Sequence, residues 1–248
     1  MVITGSAQHG QSTRRKLKLD DGFEYFKSEW LESGQDPRLS PTMFLIEQGP
    51  HSTLRAHFHL QNEFQLVVQG DGKFGSHSVQ AITVHYAGAY TGYGPIIAGA
   101  EGLSYFTIRS VFEQGAVMMP EGRGLMVRGP KRQLHSQPFP PASAAALAQR
   151  KDTEWVDIFS PQPDHVAATR LLLPPDGTII APSNTGSSGQ YIIPVAGSLW
   201  HDGREVTRWD PIFVSADEPP LPLLAGAGGA DVLCLRLAIQ APEYAAAV

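Results

Sequence analysis

Three side chains near the end of the first quarter of the chain carry the donor atoms that transition metals favour. His57 and His59 stand two apart in AHFHLQNEFQ, and Glu63 follows four residues after His59. Side chains alternate along a strand, so histidines at i and i+2 share a face. Glu63 has the same parity, and if strand phase carries through residues 60–62 all three converge. Two imidazoles and a carboxylate form a ligand set suited to a divalent Fe, Mn, Ni, Zn or Cu ion. Arg55 lies two residues before His57 and Gln65 two after Glu63, in the same phase, so both are expected to point at the same space. A guanidinium there offers a fork for the carboxylate or enolate of a small acid.

The wider stretch 49–72, GPHSTLRAHFHLQNEFQLVVQGDG, ends on Gly70 and Gly72, read as a turn before Lys73. It resembles the first motif of the cupin superfamily, G-x(5–7)-H-x-H-x(3–4)-E-x(6)-G, over the motif's whole length. The resemblance implies an all-β chain of cupin-type jelly-roll (double-stranded β-helix) barrels. It also implies one divalent transition metal (Fe, Mn, Ni or Zn) on His57, His59 and Glu63, and dioxygenase, isomerase, decarboxylase or lyase chemistry on a small carboxylate- or enol-type molecule. A non-catalytic, ligand-binding or regulatory cupin is the alternative it leaves open. The family's second motif usually supplies a fourth ligand, a His. Here that position falls at or near Gly94 in AGAYTGYGPIIAGAEGLSYF, and no His is present. His85 on the preceding strand, Tyr93 beside the position, or a water or substrate molecule are the candidates to complete the shell. Tyr90 and Tyr93 are expected to line the pocket with Arg55 and Gln65.

The elements that must position these groups read as short strands separated by turn signals, the pattern of a sandwich or barrel. Strands are expected over 42–48, 79–86 and 103–110. An aromatic stretch from Phe23 to Leu31 reads as a strand and then a short helix, and residues 1–18 as loose. The block from 121 to 152 is Gly-, Pro- and Arg-rich and reads as a linker, with a short Ala-rich helix capped by Ser143. The expected division is an N-terminal extension (1–40), a first barrel with the metal motif (41–120), the linker (121–152) and a second barrel (153–248).

The second barrel is expected because the apolar phase repeats. Gly70 and Gly197 are 127 residues apart; at that shift Phe64 falls on Tyr191, Tyr86 on Phe213, Phe106 on Leu233 and Ile108 on Leu235. The same ungapped shift lays Phe44, Leu45 and Ile46 on Leu171, Leu172 and Leu173. Two copies of one unit follow, and the chain resembles a bicupin. The candidate ligands do not repeat: His57, His59 and Glu63 fall on Asn184, Gly186 and Gln190. An amide and a glycine cannot replace imidazoles around a transition metal, so the second copy is expected to be metal-free. The resemblance implies that such a copy pairs the chain into a homodimer.

Composition excludes other classes. With 17% charged and 42% hydrophobic residues the chain is globular, not disordered. A net charge of −5 gives no electrostatic case for nucleic acid. No apolar run approaches the length needed to span a bilayer, and MVITGSAQHGQSTRRKLKL lacks the apolar core of a secretory signal. The one cysteine, Cys234 in VLCLRL, reads as a core residue and fits a reducing cytoplasm. G-x-S-x-G, P-loop and C-x-x-C patterns are absent from the sequence. His51 and His77 fall in expected turns.

Overall fold

The computed structural model describes residues 1–245. About half of the chain is strand and about 8% helix, as the all-β reading requires. It forms two compact units. The N-terminal unit comprises Gln8–Phe139 and the chain from Gln240 on; the C-terminal unit comprises Met1–Ala7 and Pro140–Ile239. No helix is long and apolar enough to cross a membrane among the described residues.

In the N-terminal unit, one antiparallel sheet runs in the order Gln133–His135, Thr83–Ala87, Glu63–Phe74, Ile96–Arg109, Thr42–Gln48, Glu24–Glu32, Arg15–Lys18. His57–Phe58 lies outside this path and pairs with Val117–Met118. The strand Glu63–Phe74 is buried at five consecutive positions, 63 to 67, because both of its faces are covered. A strand covered on both faces reads as a run rather than as an alternation. Phe64 and Leu66 take one face, where Phe64 packs on Tyr86 and Phe106 on Trp30. Glu63, Gln65 and Val67 take the other, which holds the unit's own core.

The C-terminal unit repeats the plan in the order Val2–Thr4, Ile212–Val214, Ser187–His201, Pro222–Ala238, Ala167–Leu173, Glu154–Phe159. Its core cluster is apolar, with Leu171, Ile192, Leu199, Ile212, Val232 and Cys234 among its members.

The register confirms the 127-residue shift across the central strands. Ile108 pairs with Phe64 and Leu103 with Gly70; Leu235 pairs with Tyr191 and Ala230 with Gly197. The shift is not ungapped over its whole expected length. Tyr105 faces Ile46, whereas its counterpart Val232 faces Leu171, so the first strand is offset by 171 − 46 = 125. Dropping two residues keeps the period-two phase, which is why the apolar pattern hides the gap.

Several local expectations give way. The strand expected over 79–86 breaks at 81–82 into His77–Gln80 and Thr83–Ala87, so His77 opens a strand instead of sitting in a turn. Gly70 and Gly72 do not end their strand, which runs on to Phe74 and turns at 75–76. Gly70 instead sits at φ +76°, where a Cβ would run into the carbonyl oxygen of Gly102. Gly197, at φ +66°, stands in the same relation to Gly229. Only glycine allows so close a backbone approach at that φ. Residues 24–32 are strand throughout, with Trp30 and Leu31 buried. Residues 1–18 are ordered, as the strand Val2–Thr4, the helix Ala7–Thr13 and the strand Arg15–Lys18. Ser143 caps the short helix Ala144–Ala148 by accepting a bond from the Ala146 N–H.

Candidate ligand site of the N-terminal unit

The strand Glu63–Phe74 carries Glu63 and Gln65 inward, and the short strand His57–Phe58 closes over them. His57 exchanges two backbone hydrogen bonds with Tyr93, 3.0 and 2.9 Å long. This bridge sets the Tyr93 ring against His57, with centroids 4.5 Å apart. The rings of His57 and His59 meet edge-on at 5.3 Å. His57 Nδ1 lies 2.8 Å from the Arg55 carbonyl oxygen. A carbonyl only accepts, so Nδ1 carries the proton and Nε2 the lone pair. Burial, then His59, lowers the His57 pKa to about 4.

Glu63 is fully buried, and its carboxylate is fully engaged. Arg109, at the end of the strand Ile96–Arg109, donates to Oε2 from Nε at 2.8 Å and from Nη2 at 2.7 Å. Oε1 accepts from the Tyr93 hydroxyl at 2.7 Å and from Gln65 Nε2. Burial alone would raise the Glu63 pKa; His59, Arg109 and Tyr93 outweigh it and hold the group at about 2. Tyr93 is pushed well above the usual phenol range by burial and by the Glu63 charge beside it.

Arg109 also reaches His59. Its Nη2 is 2.8 Å from His59 Nδ1, while Glu113 Oε1 is 3.2 Å from the same nitrogen. A guanidinium can only donate, and a neutral imidazole nitrogen cannot accept from Arg109 and donate to Glu113 at once. The arginine contact is shorter, and Glu113 Oε1 already accepts the Leu60 N–H at 2.9 Å. The tautomer this assigns has Nδ1 as acceptor and the proton on Nε2, the atom 3.7 Å from Glu63 Oε1.

The other residues singled out by spacing are dispersed. Gln65 is central: besides Glu63 and the Tyr93 hydroxyl, its Oε1 contacts His85 Nδ1 at 2.5 Å. His85 is thus tied to Glu63 only through Gln65, and its ring stacks 4.3 Å from His135, which stacks 3.6 Å from the exposed His77. Burial, then His135, lowers the His85 pKa to about 3. Arg55 turns outward, donating to Asp21 and Glu121 at 3.0 Å each. Tyr90 is buried beside Phe58 and Tyr244, away from the cavity wall. His51 is exposed.

Two important residues, Arg109 and Glu113, were not singled out from the sequence. A signal for Arg109 existed: one register step beyond the pair Ile108–Phe64, it lies across from Glu63, where opposite charges pair.

Of these groups His57, His59, Tyr93, Arg109 and Glu113 line a cavity of about 400 Å³ within the N-terminal unit, with Glu63 and Gln65 behind them. Phe23, Tyr25, Phe44 and Tyr105 supply aromatic wall. Arg15 and Lys27 also line it and share one buried carboxylate oxygen, Glu29 Oε1, at 2.7 and 2.9 Å. Two cations on one carboxylate leave that wall net positive. Around Arg109 the balance reverses, with the guanidinium between Glu63 and Glu113. The Glu113 side chain is 6% exposed, and its Oε2 has no hydrogen-bond partner, with Arg109 Nη1 3.8 Å away.

Known proteins of similar structure fix the architecture. The bacterial pirin YhhW of Escherichia coli, solved in complex with nickel(II), superposes with a TM-score of 0.55 at 14% identity, covering 96% of this chain and 99% of that one. Streptomyces albus HEPD, solved with 2-hydroxyethylphosphonate and Fe(II), gives 0.55 at 11% identity over 99% and 78%. A variant of Bacillus subtilis oxalate decarboxylase gives 0.58 at 11% identity over 97% and 78%. The fold is that of the cupins, in two copies. No protein-family model matches this cupin-fold chain, and no curated protein sequence does.

A divalent metal is what the cupin motif implies. The donor set as arranged does not fit one: all four acceptor positions of Glu63 are filled, and the His59 nitrogen nearest to Glu63 carries a proton. Among the described residues no group of three or more His, Cys, Asp or Glu stands where it could hold a metal ion.

Proposed function

We propose that the N-terminal unit is a binding site for a small hydroxy or enol acid, and that the C-terminal unit, its ligand positions lost, is its structural partner. The observation that carries this reading is the buried Glu113 Oε2, left without a hydrogen-bond partner in the cavity lining. An unpaired buried acceptor costs stability, and a ligand hydroxyl would satisfy it. Elsewhere on the lining Arg15 and Lys27 outnumber Glu29, so an acid group there meets net positive charge. Aromatic walls suit a flat, unsaturated ligand.

Binding is favoured over acid–base turnover. A general base works best with a pKa near the operating pH. His57 is held at about 4, and the Tyr93 phenol well above its usual range. A homodimer belongs to this reading. Ile180, Leu224 and Trp200 are exposed on neighbouring strands of the C-terminal unit and give it an apolar face.

Titration calorimetry of the full chain with hydroxybenzoate, lactate and an enol acid tests the assignment. Binding to the wild type is expected to weaken at least about tenfold, or 1.4 kcal/mol, in Glu113→Ala and in Lys27→Ala. It is expected to stay unchanged in Trp200→Ala. Absence of binding by any of the three, or full binding by Glu113→Ala, rejects the reading.

A further inference from the structure

We propose that Arg109 is the resident cation of the N-terminal site and stands in for the metal that its His57/His59/Glu63 motif would otherwise hold. Its guanidinium is almost fully buried, 2% exposed, and touches two of the three motif side chains. On Glu63 it fills both acceptor positions of Oε2, and Tyr93 and Gln65 fill those of Oε1. On His59 it occupies Nδ1 and so places the proton on Nε2. A metal needs a lone pair from each ligand, and Arg109 removes the second imidazole while competing for the carboxylate. Arginine is not deprotonated in proteins, so this charge cannot be titrated away to admit an ion. A divalent cation seated between Glu63 and the histidines would also face the repulsion of a fixed positive charge across a buried site.

The counterpart of Arg109 supports a specific role. At the 127-residue shift it is Arg236, whose Nε and Nη1 donate to the backbone carbonyls of His165 and Ser183. There the carboxylate is replaced by Gln190, whose Nε2 donates to the Pro182 carbonyl instead. The inward course of Arg109 therefore goes with Glu63 and not with the strand alone.

The inference concerns the same cavity as the proposed ligand site but does not depend on that ligand. Two measurements on the full chain test it, and neither reads activity. Purified without chelator, the wild type is expected to carry Fe, Ni, Mn and Zn far below one ion per chain. In nitrogen-15 labelled protein, His59 Nε2 is expected to bear a proton. Nickel(II) titration should then show binding at least about tenfold tighter in Arg109→Gln than in the wild type, with the gain abolished by adding His57→Ala. One metal per chain in the wild type, lost in His57→Ala, overturns the proposal. So does a bare His59 Nε2, or a folded Arg109→Gln whose nickel affinity equals that of the wild type. If Arg109→Gln does not fold, the metal content and the His59 tautomer of the wild type decide alone.

Discussion

The two units share strands, register and even their tight glycines, yet their interiors differ in kind. Glu63, Gln65, His85 and Thr107 in one unit become Gln190, Ile192, Ile212 and Cys234 in the other. Around the last three the C-terminal unit closes an apolar cluster, while the N-terminal unit buries Glu63, Arg109, Tyr93 and the three imidazoles of His57, His59 and His85. Polar groups are buried in the C-terminal unit too, Asn184, Gln190 and Asp231 among them, but outside this cluster. Buried charges are weak contributors to stability even when paired. Removing one partner is a different matter, because it strands the other.

That asymmetry can be attacked directly. Glu63→Gln gives the first unit the residue of the second and leaves Arg109 buried without its main anion. It is expected to cost about 3–5 kcal/mol in urea unfolding; a loss under about 1 kcal/mol would mean that Glu113 alone can hold the guanidinium. Acid provides the next largest effect. His57 titrates at about 4 in the folded chain against 6.5 in the unfolded one, so between those values the unfolded chain binds more protons. Its contribution, roughly 3 kcal/mol at 1.36 kcal/mol per unit, is present above pH 6.5 and is lost as pH falls towards 4. Glu63 acts in the same direction lower down, between 4.5 and about 2. Urea midpoints measured from pH 7 to 4 should fall steadily in the wild type. They should fall less in His57→Asn, a change that removes the titrating ring.

The shared features should respond alike in both units. Gly70→Ala and Gly197→Ala each force a Cβ against a carbonyl oxygen at positive φ, and each is expected to cost about 1–3 kcal/mol. If only one of the pair is costly, the two glycines do not serve the same close approach. The smallest effect belongs to Arg55→Ala. Its partners Asp21 and Glu121 are solvent-accessible and such pairs are screened, so the unfolding midpoint and the calorimetric affinity for small acids should both stay at wild-type values. A loss of affinity there would return Arg55 to the site.

Much of this plan was legible in the sequence because period-two phase survives both copying and small gaps. Phe64 with Tyr191 and Tyr86 with Phe213 were found by shift alone, and their cross-strand pairs agree. Phase also explains what was missed. It is blind to a two-residue slip, hence the wrong partner for Phe44. It says nothing of a side chain before a turn, hence Arg55, whose parity matched His57 but whose carboxylate partners lay outside. Arg109 was legible in principle, yet it required pairing two strands whose register no local pattern states. Glu113 follows the last strand position of that sheet, where alternation has ended.

The exchange of chain ends has a consequence for biosynthesis. Val2–Thr4 pairs with Ile212–Val214 of the C-terminal unit, while Gln240 donates to the Leu60 carbonyl and Tyr244 to that of Pro130 in the N-terminal unit. The strand Val2–Thr4 must wait for about two hundred further residues before its partner exists. The N-terminal unit, in turn, takes Gln240 and Tyr244 from beyond the whole of the C-terminal unit's sheet. Synthesis halted near residue 139 would release a chain with an unpaired strand at its start and exposed Phe58 and Tyr90 surface where Tyr244 belongs.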